Sequence, residues 1–290
     1  MRWVDLHVHS NASDGTFSPA EVVKQAADAG LAAMALTDHD NVRGVEEALL
    51  AAEALREQGR DIRVIPGIEL SVGHEHGDIH VLGLFIDTHH EVFLKETGEA
   101  VQGRKRRNEQ MVQNLAEAGI AITMQDLLEG NPDTVVTRAH FSRYLIKAGY
   151  AKDMKDAFAK YLNPDTPYYV PRAYVTKKRG IELIRMAGGI PILAHPLHYK
   201  LQIKELEYLV EELKSYGLVG LEAMYSNHSG EDEVYLRQLA KKNSLLLSGG
   251  SDYHGSNKPD IHIGTGRGNL KVPYEIVEDM EKWLENGKIQ

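Results

Sequence analysis

The sequence predicts an α/β fold, an irregular seven-stranded (β/α)7 barrel of the TIM type, interrupted by an inserted helical cap domain. Three observations carry this expectation. Short apolar, strand-like runs alternate with segments of helical period along most of the chain. That alternation stops near Thr88 and resumes after about Arg172. Histidines and carboxylates fall where the strand-like runs end, which is the face on which such barrels carry their sites.

The opening strand centres on Asp5-Leu6-His7-Val8-His9-Ser10, where Val4, Leu6 and Val8 alternate with Asp5, His7 and His9. Side chains at i and i+2 leave the same face of a strand, so His7 and His9 direct two imidazoles at one place. Asp14 follows in a Ser-Asp-Gly turn. Ser18-Pro19-Ala20-Glu21 supplies an N-cap, a proline at N1 and an acidic first turn for a helix reaching about Gly30. Residues 31–37 read as a buried strand ending in Asp38-His39-Asp40, followed by a helix to about Gly59 with apolar spacing through Val45, Leu49 and Ala52. Residues 62–70 form the third strand, with Glu69 at its end, and residues 80–86 the fourth. His80 reaches the same rim if that strand runs back from a hairpin.

The predicted barrel comprises residues 1–90 and 173–290, and the cap residues 91–172. Within the cap, helices are expected over 104–118, 137–149 and 152–162, with the proline-containing stretch 163–171 leading out. The alternation then returns: helix 175–187, strand 190–194 before His195-Pro196, helix 203–216, strand 218–224, helix 231–242 and strand 245–249. Ser251-Asp252-Tyr253-His254 follows that last strand, and a helix over 274–286 closes the chain.

Composition narrows the chemistry. The 290 residues are 42% hydrophobic and 26% charged, which suits one large globular domain or one carrying an insertion. There is no cysteine, so disulfides and thiolate metal sites are excluded; any metal must be held by imidazole and carboxylate. No run approaches the roughly 18 apolar residues of a membrane span, and the start lacks a signal-peptide core. A cytoplasmic protein without membrane attachment is expected. The formal net charge of −9 gives no support to coating of a DNA duplex. Yet residues 95–180 hold 15 Lys/Arg against 10 Asp/Glu, including Arg104-Lys105-Arg106-Arg107, and six of the 13 tyrosines. A solvated helical face is one account of that run, a wall contacting phosphate and base the other.

The motifs DLHVHS-x3-D, TDHD, GIE, AHP and SDYH, in this order, resemble the polymerase-and-histidinol-phosphatase (PHP) superfamily of metal-dependent phosphoesterases. The barrel–insert layout, with Thr-Arg-Ala-His-Phe inside the insert, is most similar to the subgroup acting on nucleotides. Members of that subgroup remove the 3′-phosphate of nucleoside 3′,5′-bisphosphates and trim short RNA from its 5′ end. The resemblance implies three divalent metal ions. His7, His9, Glu69 and Asp252 would hold the first; Glu69 would bridge to a second with His80 and His195; Asp14, His39 and His254 would hold the third. Asp14 stands where some relatives have histidine. Such ligands suit manganese, iron or zinc, and a metal-bound hydroxide would attack phosphorus without a separate general base.

For substrate contacts, Arg138 and His140 of the insert are the leading candidates, since a planar guanidinium binds phosphate bidentately. His228 and Arg107 are further candidates, and Tyr168 or Tyr169 could stack on a base. His74, His76, His89, His90, His198 and His262 are assigned no chemistry. The loop Gly264-Thr-Gly-Arg-Gly268 resembles a phosphate cradle but precedes Asn-Leu-Lys rather than a helix. The expected substrate is thus a small phosphorylated molecule, a nucleotide or short RNA. A phosphatase for another phosphomonoester such as histidinol phosphate, and a non-catalytic metal-stabilised interaction module, are the alternatives.

Overall fold

The computed structural model describes residues 2–75, 77–128, 131–132, 134–171 and 175–287. His76 and the second expected domain boundary, at 172–173, lie outside the described residues. The first half of the chain runs β1 (Trp3–Val8), α1 (Pro19–Asp28), β2 (Ala33–Leu36), α2 (Val45–Glu57), β3 (Arg63–His74) and β4 (Gly77–Leu84). Helices follow: α3 (Glu91–Glu117), α4 (Met124–Leu128), α5 (Arg138–Lys147) and α6 (Met154–Ala157), the last passing directly into a π-helical turn (Phe158–Leu162). The chain then alternates again through β5 (Val175–Thr176), α7 (Lys177–Met186), β6 (Ile190–Leu193), α8 (Ile203–Ser215), β7 (Gly220–Tyr225), α9 (Gly230–Lys242) and β8 (Leu246–Gly250), and ends in β9 (Val272–Pro273) and α10 (Glu275–Gly287).

The strands form one sheet in the order β8-β7-β6-β4-β3-β2-β1-β9, with β5 beside β3. β4 runs antiparallel to both of its neighbours, β3 and β6. That hairpin sets His80 opposite Ser71 and brings it back to the rim on which Glu69 sits. The sheet curls until its ends nearly meet. A parallel bridge joins Val8 to Tyr253, the His9 N–H donates to Tyr253 O at 2.9 Å, and the Asp252 N–H donates to His7 O at 2.8 Å. This seam needs a glycine at 250, because a Cβ there would lie 2.4 Å from the backbone nitrogen of His7.

Packing follows the sequence pattern. Val4, Leu6, Ala33 and Ala35 bury against Ile276, Val277 and Met280 of α10, while α1 and α2 cover Val8, Met34 and Leu36. The helices between β4 and β5 have an apolar cluster of their own, built on Met111, Leu115, Phe141, Leu145 and Leu162. They attach to the barrel mouth through polar contacts. Asn131 Nδ2 donates to Asn11 O at 2.7 Å, the Val135 N–H to Ala12 O at 3.1 Å, and the buried Arg104 guanidinium to Asp40 and Ser71. No helix among the described residues is long and apolar enough to cross a membrane.

Beside the unexpected α4 and β9, two helices start elsewhere than expected. The helix expected to begin at Arg104 begins at Glu91 and spans 27 residues. Gly98 and Gly103 suggest a break, each costing about 1 kcal/mol against alanine, but buried Phe93, Thr97, Met111 and Leu115 hold the helix through them. The helix expected from Val175 starts at Lys177, since Val175 and Thr176 pair with Val72 and Gly73 of β3. Thr176 Oγ1 instead accepts the Arg179 N–H as the helix cap.

Candidate metal centre

β1 places His7 and His9 side by side, as its period of two requires, and the two Nε2 atoms are 3.1 Å apart. Glu69, from the middle of β3, lies between them and the opposite rim. Its Oε1 is 2.9 Å from His80 Nδ1, 2.9 Å from His195 Nε2 and 3.4 Å from His7 Nε2; its Oε2 is 3.2 Å from His9 Nε2 and from His39 Nδ1. Asp14, in the turn after β1, has one oxygen 3.2 Å from His254 Nε2 and the other 3.7 Å from His39 Nε2. Asp252 Oδ1 lies 3.3 to 3.7 Å from His254, His9 and His7. The fold therefore gathers all nine residues named from the sequence, contributed by the ends of four strands (β1, β2, β6 and β8), the β3–β4 hairpin and the turn after β1.

Three groups within this cluster have donor atoms close enough together for one ion: His9, Asp14, His39 and His254; His7, His9 and Glu69; and His39, Glu69 and His80. His9, His39 and Glu69 each fall in two of them, so the donors are shared more widely than a strict partition into three sets suggests.

Backbone strain fixes two of the donors. His195 (φ 28°) and Asp252 (φ 57°) both sit at positive φ without being glycine, a conformation that surrounding structure must hold in place. At His195, the backbone N–H donates to Glu222 Oε2 at 2.6 Å. The other oxygen of Glu222 accepts His7 Nδ1–H at 3.0 Å, which commits Nε2 of His7 to the cluster as a lone pair. Asp252 is held by the Tyr225 hydroxyl at 2.7 Å and Lys258 Nζ at 2.6 Å. Thr137, the N-cap of α5, donates its hydroxyl to Asp14 Oδ2 at 3.0 Å, so the helical insert touches the cluster itself.

The electrostatics of the cluster are organised around positive charge. Burial alone would lift the Glu69 carboxyl, but His39, His80 and His7 hold it well below the usual carboxylate range. Asp14 is depressed in the same way by His39 and His254 against its burial, and Asp252 by Lys258 and His254. Burial drives His39 down to about 3 and lowers His9, which His254 also disfavours. Burial opposes charge at His80 and His7 too; there the neighbouring carboxylates win, raising His80 to about 10 and His7 well above its ordinary value. Three buried carboxylates set this close together call for positive charge between them, which divalent cations held by these donors would supply. His39 Nδ1 is buried without a hydrogen-bond partner although 3.2 Å from Glu69, as a lone pair turned towards a shared ion would be. The donor set fits divalent metal.

Above the cluster opens a cavity of about 550 Å³, within the usual range for a small-molecule site. Arg107 and Arg138 line it, as the sequence suggested, and Arg138 also lies 3.6 Å from Asp78. His140 and His228 are not among the described residues of its wall. His140 is the N3 residue of the α5 capping box, its Nδ1 accepting the Thr137 N–H at 3.0 Å. His228 is buried behind Tyr225, with Nδ1 3.0 Å from Ala223 O. Tyr168 packs on Tyr161 and the insert's apolar cluster instead of facing the cavity.

Several wall residues escaped sequence reasoning. Arg104 was visible only as part of a basic run, and nothing in the sequence marks Lys258, in the segment after β8. Arg267, in the loop set aside as an unconvincing phosphate cradle, reaches the wall, where its Nε donates to Asn227 Oδ1 at 2.9 Å. His198, assigned no chemistry, also lines the cavity, its ring 5.4 Å from that of His195. Glu222, a carboxylate on the otherwise apolar β7, lies in the stretch 222–228 that the sequence counts among the polar strand ends, although its role beside His7 and His195 was not foreseen.

Comparison with known proteins agrees with this geometry. The chain is 35% identical over 266 residues to a 3′,5′-nucleoside bisphosphate phosphatase of Chromobacterium violaceum, covering 91% of each protein. It is 32% identical over 279 residues to the 5′-3′ exoribonuclease Rnm of Escherichia coli, covering 96% of this chain and 93% of that one. A solved structure from Bifidobacterium adolescentis, described as a metal-dependent phosphoesterase, superposes with a TM-score of 0.83 at 29% identity, covering 96% of this chain and 95% of that one. Residues 5–216 match the PHP domain, and the chain belongs to the PHP domain family.

Proposed function

We propose that this protein is a metal-dependent phosphoesterase that hydrolyses phosphate esters of nucleotides, removing the 3′-phosphate of nucleoside 3′,5′-bisphosphates and trimming short RNA from its 5′ end. The observation that carries this reading is the meeting of nine imidazole and carboxylate groups in one cluster about Glu69, seven of which line the cavity above it. In the proposed assignment, His7, His9, Glu69 and Asp252 would hold one ion, Glu69, His80 and His195 a second, and Asp14, His39 and His254 a third. The sheet is then an irregular seven-stranded barrel, with β5 and β9 as flanking pieces, and residues 91–172 are its cap. Divalent ions bound there would neutralise phosphoryl charge and acidify water.

The protein's own part is positioning and electrostatics. Glu222 orients His7 and pins the His195 backbone, while Tyr225 and Lys258 orient Asp252. Arg107 and Arg138, with Arg104, Lys258 and Arg267 nearby on the wall, supply cationic groups for phosphate oxygens. The volume suits a nucleotide or the end of a short single strand. The names of the two curated relatives support the choice of nucleotide substrates.

Phosphate release by the manganese-loaded protein, measured with 3′,5′-bisphosphoadenosine, AMP and histidinol phosphate, tests the reading. Fastest release is expected from the bisphosphate. Release from histidinol phosphate alone would overturn the substrate class, and no release with manganese, iron or zinc would overturn the enzyme.

A further inference from the structure

The cavity wall is mostly polar and charged, and its apolar side chains gather at two places, one on the helices and one on the barrel side. α6 and the π-helical turn after it present Met154 and Phe158 to the cavity, beside Ala139 of α5. Met154 and Phe158 are four residues apart and so share one helical face. Ala157 and Leu162, on the other side, are fully buried in the insert's own core. Met154 remains 42% exposed, an unusual position for a large apolar side chain that also lines a polar cavity. The turn itself is π-helical, a rare geometry that changes which side chains face a given direction and that recurs at functional sites. Arg138 stands beside it, its guanidinium carbon 5.7 Å from the centre of the Phe158 ring. Across the cavity, Pro259 and Ile261 contribute the apolar groups of the barrel side.

We infer that Phe158, with Met154 beside it and Arg138 at its edge, is the platform on which the base of a nucleotide substrate stacks. An aromatic face accepts any base and an arginine plane can do the same, so the platform selects for a nucleobase without reading its identity. The reaction centre takes phosphate; this shelf decides that the phosphate must come with a base. The inference rests on the nucleotide reading of the cavity but replaces Tyr168 and Tyr169, the stacking residues suggested by the sequence, with a residue that the fold brings to the wall.

Equilibrium binding separates the two ideas, because it does not depend on turnover. Titration calorimetry of the manganese-loaded protein with AMP and with ribose 5-phosphate compares a ligand with a base to one without. The native protein should favour AMP. Phe158→Leu keeps an apolar group in the turn but removes the ring, and should weaken AMP about tenfold while leaving ribose 5-phosphate unchanged. Phe158→Tyr should retain the preference. Met154→Gln, at a half-exposed position that tolerates exchange, should weaken AMP two- to threefold and covers the case in which Phe158→Leu fails to fold. Equal affinity of the native protein for both ligands, or an AMP preference unchanged in Phe158→Leu or in Met154→Gln, would overturn the platform even if nucleotides are hydrolysed. Loss of hydrolysis with a ring-dependent preference intact would instead overturn the catalytic reading and leave the platform standing.

Discussion

Glu222 accepts a hydrogen bond from His7 Nδ1 at 3.0 Å, with both side chains fully buried. Because Nδ1 carries the proton, Nε2 is left to face the cluster. Carboxylates that orient a ligating histidine in this way typically account for 10- to 100-fold in metal affinity. Glu222→Gln should therefore weaken manganese binding by about that factor, read by titration of the metal-free protein, with activity recovering in part at high manganese. Unchanged affinity would reduce Glu222 to a packing residue.

Asp252 is the next point of test. Its φ of 57° makes alanine a poor probe, because the backbone penalty would mix with the lost carboxylate. Asparagine tolerates the left-handed region and keeps the shape. Asp252→Asn is expected to abolish phosphate release while circular dichroism and the melting temperature stay near native values. Retained hydrolysis would remove Asp252 from the centre.

Arg104 ties the helical insert to the barrel, and Asp40 beside it is itself at φ 56° with an oxygen accepting the Ser71 N–H at 2.8 Å. Removing one member of a buried pair costs about 3–5 kcal/mol, since the other is left charged and uncompensated. Arg104→Ala should lower stability by that order in a urea melt. The double variant Arg104→Met, Asp40→Asn should recover a large part of the loss. Absence of recovery would mean that the arginine acts through something other than Asp40.

Metal should stabilise the fold as well as serve chemistry. An ion that binds only the native state at 100 times its Kd adds about 2.7 kcal/mol per site, or on the order of 5 °C in Tm for a domain near this size. Melting with EDTA and with added manganese should differ by at least that amount. Coincident curves would argue against occupancy of the centre.

Much of this was legible in the chain. An i, i+2 pair of histidines on a strand has only one way to point, so His7 and His9 declared their common target locally. The polar endings of the other strands marked one barrel face, and the antiparallel return of β4, which brings His80 to Glu69, was the condition stated for His80 to belong there. The substrate wall was harder to read. Thr137-Arg138-Ala139-His140 looked like two contact residues, but a helix start sends successive side chains in different directions: Arg138 faces the cavity and His140 turns back to cap the helix.

By itself, then, the sequence determined the strand and helix alternation, the common face of His7 and His9 and the restriction of any metal ligands to imidazole and carboxylate, because each depends on residue type and short-range period; the set of nine came from the family resemblance. The tertiary structure alone decided that Glu222 orients His7, that Lys258 and Arg267 reach the cavity, and that Phe158 rather than Tyr168 faces it. Those relationships join residues on different elements, or turn on a single π-helical step, and no local pattern encodes the direction in which a side chain meets a distant partner.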